Sequence, residues 1–211
     1  VDSSHPKLPF GIGQIGKAFR NEIAPRDFVF RSREFEQMEI EYFVNTKGWE
    51  KVFNDFVKEG HAFNADVGIP KENVYENEIS DADRAFYSKR TIDFEFDFPF
   101  GKKELYGLAY RTDYDLAAHG RDSGADLSYL DEESKERFIP HCIEPSFGLD
   151  RTLLAVLSSA YAKETVKEGD ERIVMRFSPK VAPVLVAVSP LLRNKPVLVE
   201  KAEGIYKTLK K

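Results

Sequence analysis

The chain has 211 residues, 42% of them apolar and 32% charged, and a net charge of −5. That size fits one sizeable domain and part of a second, and the slight acidity excludes a general nucleic-acid coat, so any nucleic-acid contact must be local. The single cysteine, Cys142, excludes an internal disulfide framework and a cysteine-rich zinc site, and no apolar run approaches the roughly 20 residues that span a bilayer; the expectation is a cytoplasmic protein without membrane segments.

Residues 1–10 hold two prolines and no usable period, and read as extended chain that begins in the middle of a longer one. Residues 14–23 and 33–44 read as two strands of a long hairpin around the turn-forming Ala24-Pro25-Arg26-Asp27. Trp49, Val52, Phe53 and Phe56 have the three-and-four spacing of an amphipathic helix over residues 49–57, followed by loop through Pro70. Residues 91–98 alternate strictly, with Ile92, Phe94, Phe96 and Phe98 on one face and Thr91, Asp93, Glu95 and Asp97 on the other, which predicts a half-buried strand. Gly101-Lys102 then turns into a partner strand over residues 104–110. Residues 122–137 are a polar, exposed excursion, and residues 139–143 a strand that Glu144-Pro145-Ser146 breaks before a mostly apolar helix over 147–161. The apolar run 181–188 reads as a buried parallel strand and the charged stretch 195–211 as a helix, the opening of an α/β domain.

The hairpin concentrates chemistry. Its first strand ends in Phe19-Arg20-Asn21-Glu22, and its second opens with Arg31-Ser32-Arg33-Glu34-Phe35 followed by Glu36, Glu39 and Glu41. Cross-strand ion pairs on a solvated surface are one reading. A nucleotide clamp is the other, since guanidinium forks match phosphate oxygens and a ring such as Phe35 offers a face to adenine. A second cluster, Glu144-Pro145-Ser146-Phe147-Gly148-Leu149-Asp150-Arg151, lies where a strand meets a helix. His5, His61, His119 and His141 show no metal-ligand spacing. Cys142 and His141 are neighbours on a strand and point to opposite faces, which argues against a thiol–imidazole dyad. The polar face Asp93, Glu95, Asp97 reads as solvated unless one member lines a cleft. Lys201, Lys207, Lys210 and Lys211 read as a solvated helix face, with contact to nucleic-acid phosphates as the alternative.

The stretch from Lys17 to Phe43 resembles motif 2 of the class II aminoacyl-tRNA synthetases, and Glu144 to Arg151 resembles their motif 3. Within that class both are similar to the homodimeric glycine-specific family, as is the block from Glu104 to Leu116; the likeness runs from Leu8 to about Leu192 and is weakest between Asn45 and Ser88. The resemblance implies an α+β fold, an antiparallel sheet flanked by helices over residues 1–178, followed by the start of an α/β anticodon-binding domain over 179–211. It implies ATP, glycine and tRNA as substrates, Mg²⁺ as cofactor and a homodimer. Arg20 and Arg151 would be the catalytic pair on the phosphates, and Asn21, Glu22, Phe30, Arg31, Ser32, Phe35, Glu104 and Leu105 would border ATP, with Glu104 also placing the metal. Glu39, Glu144, Pro145 and Ser146 would form the glycine pocket. The family's motif 1 and a further pocket carboxylate are not among these residues, so the piece is expected to be inactive alone. A non-catalytic paralogue and a class II synthetase for another amino acid are the rival readings.

Overall fold

The computed structural model describes residues 6–210; His5 and Lys211 lie outside them. Alternating side chains decide its sheet. β1 (Phe10–Phe19) pairs antiparallel with β2 (Glu34–Val44), in register from Phe10 opposite Phe43 to Phe19 opposite Glu34. The first strand starts and stops earlier than the sequence predicts. The Arg20 amide still bonds the Arg33 carbonyl at 2.9 Å, but the Glu22 amide bonds back to the Arg20 carbonyl at 2.8 Å and turns the chain out of the ladder. A short 3₁₀ turn, Phe28–Phe30, closes the loop.

The helix α1 (Trp49–Val67) runs ten residues beyond its predicted end at Val57. Its buried stripe continues from Phe53 through Gly60 and Asn64, and a glycine and an asparagine hide that stripe from an apolar count. Gly68, at φ 86°, ends it by donating to the Ala65 and Asn64 carbonyls. The glycine at 60 is a fitted contact: a Cβ there would lie 3.3 Å from both Phe94 Cζ and Tyr106 Oη. Phe94 is 1% exposed and Tyr106 Oη donates to the Gly60 carbonyl at 3.1 Å, so neither can retreat. Gly60→Ala is therefore expected to lose about 1–2 kcal/mol in chemical denaturation, overpacking outweighing the ~1 kcal/mol that alanine contributes in an ordinary helix. A stabilised variant would contradict this packing.

After β3 (Val74–Glu78) come β4 (Arg90–Phe98) and β5 (Gly101–Thr112), whose tight turn is Pro99-Phe100, with Gly101 already paired to Phe98 rather than turning. The predicted inner face holds: Ile92, Phe94, Phe96 and Phe98 are all buried. α2 (Tyr114–Ser123), which the sequence did not announce, ends on Gly124, and β6 (Tyr129–Leu130) and β7 (Arg137–Phe138) form a small hairpin in the exposed excursion. β8 (His141–Gly148) corrects a second expectation, since Pro145 does not break it. The strand pairs with β5 through Pro145 opposite Leu108, while its ladder to β2 skips from Glu39–Ser146 to Tyr42–Ile143. The proline's missing donor falls in that gap. α3 (Leu149–Ala160) accordingly starts two residues later than predicted, because Phe147 and Gly148 are still paired with Met38 and Gln37. β9 (Tyr161–Lys167) and β10 (Asp170–Met175) form a hairpin.

The main sheet has six antiparallel strands in the order β1-β2-β8-β5-β4-β3. α1 covers one face: Trp49 stacks on Tyr110 at 3.7 Å, and Phe56 and Phe63 meet Tyr42 and Phe147 edge-on. The chain divides into two units, the second starting at Ser178. In it the run 181–188 is irregular and exposed rather than a buried strand, with Val184 and Leu185 each 69% exposed. Pro183 interrupts its donors, and among the described residues this unit has no strand to pair with. α4 (Pro196–Leu209) is the charged helix the sequence predicts, with its proline in the first turn.

Candidate active site

The face of the sheet turned away from α1 carries the other parity of each strand. Phe35, Gln37 and Glu39 of β2, Glu144 and Ser146 of β8, Gly107 and Arg111 of β5 and Asp93 of β4 line a cavity of about 450 Å³. Arg20, Glu22, Arg31 and Ser32 of the β1–β2 hairpin close one side, and Arg151 from the first turn of α3 closes another with Phe30, Glu104 and Leu105.

One end is acidic and tightly tied. The Ser146 hydroxyl donates to Glu39 Oε1 at 2.9 Å, and the Gln37 amide donates to that same oxygen at 2.6 Å and to Ser146 Oγ at 2.9 Å. Beside this net the Arg111 guanidinium bonds Glu144 Oε2 at 2.8 Å and holds Asp115 with two bonds, at 2.7 and 3.0 Å. Burial raises the Glu144 carboxyl above its ordinary pKa and Arg111 pulls against that; Asp115 is lowered by the Arg111 bond. Two carboxylates and a hydroxyl aimed into a partly buried space are a receptor for an ammonium group.

The other end is cationic. Arg20 lies over the Phe35 ring at 5.2 Å, and Arg151 over the Phe30 ring at 4.5 Å. Arg31 Nε bonds Glu22 Oε2 at 2.9 Å, which holds that carboxyl below its ordinary pKa, and Arg33 Nε bonds the Glu22 carbonyl at 2.9 Å. Arg151 Nη1 reaches the Glu104 carbonyl and carboxylate, each at 3.2 Å. The Asp150 carboxylate accepts from the Glu36 amide at 2.8 Å, tying the start of α3 to the hairpin. Arginines from sequence-distant elements thus share one cavity, an arrangement suited to a polyphosphate.

Asp93 also lines the cavity, and its pKa is pushed up to about 6 by burial and by Glu104 and Glu95 nearby. Raised above its unfolded value, this carboxyl favours folding when protonated; that contribution is complete below about pH 4 and is lost as the pH rises through 6. Asp93→Asn is therefore expected to raise stability at pH 8 by about 1 kcal/mol, discounted for water's access to the cavity, and to leave it nearly unchanged at pH 4. Equal thermal shifts at both pH values would contradict it.

Of the residues named from the sequence, Asn21 and Pro145 do not line the cavity: Asn21 is exposed in the hairpin loop, and Pro145 is buried within β8. Glu95 and Asp97 make surface contacts to Lys102 and Tyr75. Cys142 and His141 do point apart; the thiol donates to Glu41 at 2.6 Å with its pKa raised by burial, and His141 Nδ1 bonds the Tyr110 hydroxyl. Asp93 is the member of the predicted polar face that lines a cleft, whereas Gln37, Arg111 and Tyr87 are not singled out by the sequence, although the first two occupy the cavity parity of their strands. Among the described residues no cluster of three or more His, Cys, Asp or Glu side chains is placed to hold a metal, and no helix is long and apolar enough to cross a membrane.

Residues 1–160 match the family described as tRNA synthetase class II core domain (G, H, P, S and T). The chain is 50% identical over 207 residues to a glycine–tRNA ligase of Clostridium acetobutylicum, covering 97% of this chain and 44% of that protein. It is 46% identical over 210 residues to one of Macrococcus caseolyticus, covering 98% and 44%, and 44% identical over 220 residues to one of Thermus thermophilus, covering 97% and 44%. The chain thus spans a little under half the length of these relatives.

Proposed function

The chain belongs to the class II tRNA synthetase core family, and from that premise we propose that it is the glycine-activating part of a glycine–tRNA ligase. The observation that carries this reading is the polarity of one cavity, with Arg20 and Arg151 at one end and Glu39, Glu144 and Ser146 at the other.

ATP would lie with adenine against Phe35 and its phosphates between Arg20 and Arg151. Glycine's ammonium would sit among Glu39, Glu144 and the Ser146 hydroxyl, its carboxylate directed at the α-phosphate. Attack of that carboxylate forms glycyl-adenylate and releases pyrophosphate, and the two guanidiniums stabilise the charge that develops at phosphorus without a protein nucleophile. The terminal adenosine hydroxyl of the tRNA then attacks the activated carbonyl and releases AMP. A larger amino acid would have to break into the bonded net of Gln37, Ser146 and Glu39, which supports glycine as the substrate.

Mg²⁺ fits the donor chemistry of Glu104, a half-exposed carboxylate beside Asp93 on the phosphate side of the cavity. A magnesium site takes one or two carboxylates together with phosphate oxygens rather than a full protein cage. When bound, the ion would neutralise phosphate charge. Asn21 and Pro145 act at most indirectly in this reading, as loop and strand backbone. The unit from Ser178 onward is read as the opening of an anticodon-binding domain, and the parent protein as a cytoplasmic homodimer. The test is ATP–pyrophosphate exchange by the full-length protein with each amino acid in turn. Exchange driven by glycine and not by serine or alanine is expected; exchange driven by histidine, proline, serine or threonine instead would keep the family and overturn the substrate.

A further inference from the structure

Beside the acidic end of the cavity lies a group of three aromatic rings that the activation step does not use. Tyr87 lines the cavity wall, with the Arg111 guanidinium 4.2 Å over its ring. Phe86 lies outside the cavity and is 83% exposed; its ring meets those of Tyr87 and Tyr114 nearly edge-on, each at 5.4 Å between centroids. Tyr114, the first residue of α2, is 42% exposed.

A phenylalanine so exposed adds little to folding, because stabilisation follows the apolar area removed from water. The rings are nevertheless held in place. The loop that carries Phe86 and Tyr87 is braced by Arg84 Nε on the Ser88 carbonyl at 3.0 Å, and by the Ser88 hydroxyl on the Tyr110 carbonyl at 3.1 Å. A fixed, exposed aromatic surface continuous with a substrate cavity is preorganised to bind flat groups. The transfer step supplies such groups. A cavity of about 450 Å³ is within the small-molecule range and in the reading above already holds the glycyl-adenylate, so when a terminal adenosine reaches it, the unpaired nucleotides before it have to rest on the rim.

We propose that Phe86 and Tyr114, continuous with Tyr87, form a stacking platform for the unpaired nucleobases that precede the terminal adenosine of the tRNA acceptor end. The proposal rests on the aminoacylation reading above. Stacking suits this place better than a phosphate clamp. The same loop carries Asp81 and Asp83 as well as Arg84, and Arg84 is already bound to Asp81 at 2.8 Å. Base faces stack on aromatic rings irrespective of that charge balance.

Phe86→Ala and Tyr114→Ala in the full-length protein are compared with wild type in three assays: glycine-dependent exchange, tRNA aminoacylation, and quenching of 2-aminopurine within a short single-stranded RNA that carries the acceptor-end sequence. Exchange is expected to be unchanged, which also shows that the variants fold. The KM for tRNA should rise about tenfold, the loss of one stacked base, and the quench should disappear, with Phe86→Trp restoring both. An unaltered tRNA KM and an unaltered quench in Phe86→Ala would overturn the platform. So would a change in oligomeric state with the tRNA KM unchanged, since the rings would then belong to a protein contact. If the wild type exchanges with no amino acid, the aminoacylation reading fails by itself. The quench then decides the platform alone, its presence in wild type and loss in Phe86→Ala supporting it and its absence overturning it.

Discussion

Replacing Arg20 with alanine is expected to lower glycine-dependent ATP–pyrophosphate exchange by about 10²- to 10³-fold, with most of the loss in kcat. The reason is where the guanidinium stands. Arg20 lines the same cavity as Arg151 and lies over Phe35 at 5.2 Å, and no ion pair ties it to a carboxylate among the described residues. In the proposed reading its charge would meet the negative charge that grows on the α-phosphate as the carboxylate attacks. Arg151 differs: it is engaged with Glu104 at 3.2 Å and with the Phe30 carbonyl at 3.4 Å, and in the proposed reading it would hold the nucleotide's phosphates. Arg151→Ala is expected to raise the KM for ATP together with its effect on kcat. Steady-state exchange across ATP concentrations separates the two, and wild-type turnover in Arg20→Ala would remove the proposed role.

Arg111→Met is expected to raise the KM for glycine about 100-fold and to lower stability by about 2 kcal/mol. Among the described residues Arg111 is the only cation bonded to Glu144, and its side chain and that of Glu144 are only 17% and 15% exposed. Burial already pushes the Glu144 carboxyl up, and Arg111 is what opposes it. Without the guanidinium, protonation of Glu144 becomes easier and the pocket loses negative charge toward an incoming ammonium. Asp115, held by the same side chain with two bonds, is left unpaired at the start of α2. The sign with pH follows. The variant's deficit in glycine KM should shrink as the pH rises and Glu144 ionises again. A deficit that does not vary with pH would assign Arg111 a steric role instead.

Strand periodicity makes most of the sheet legible in the sequence itself. The alternation over residues 91–98 placed four aromatic and aliphatic side chains inward, and all four are buried. The opposite parity, extended from β4 to β2, β5 and β8, explains why Asp93, Gln37 and Arg111 reach the cavity. Gln37 and Arg111 escape a sequence reading because a single polar residue on a strand has no local signal; Arg111 is identified by Glu144, thirty-three residues away. The helix α1 was read short because its buried stripe passes through Gly60 and Asn64, where contact with Phe94 and Tyr106 replaces hydrophobicity as the packing rule. Pro145 misled for a related reason: proline breaks a ladder only where its missing donor is needed, and the gap between β2 and β8 removes that need. In the second unit the run 181–188 has the apolarity of a buried strand without a described partner strand, so its pattern finds no sheet.

The most direct measurement is the structure of the full-length protein with a non-hydrolysable glycyl-adenylate analogue. The expected result places the group that replaces the phosphate within hydrogen-bond distance of Arg20, the adenine on Phe35, and the ammonium among Glu39, Glu144 and Ser146. An analogue bound elsewhere, or bound here with its amine turned toward Arg20 and away from the carboxylates, would contradict the polarity on which the whole assignment stands.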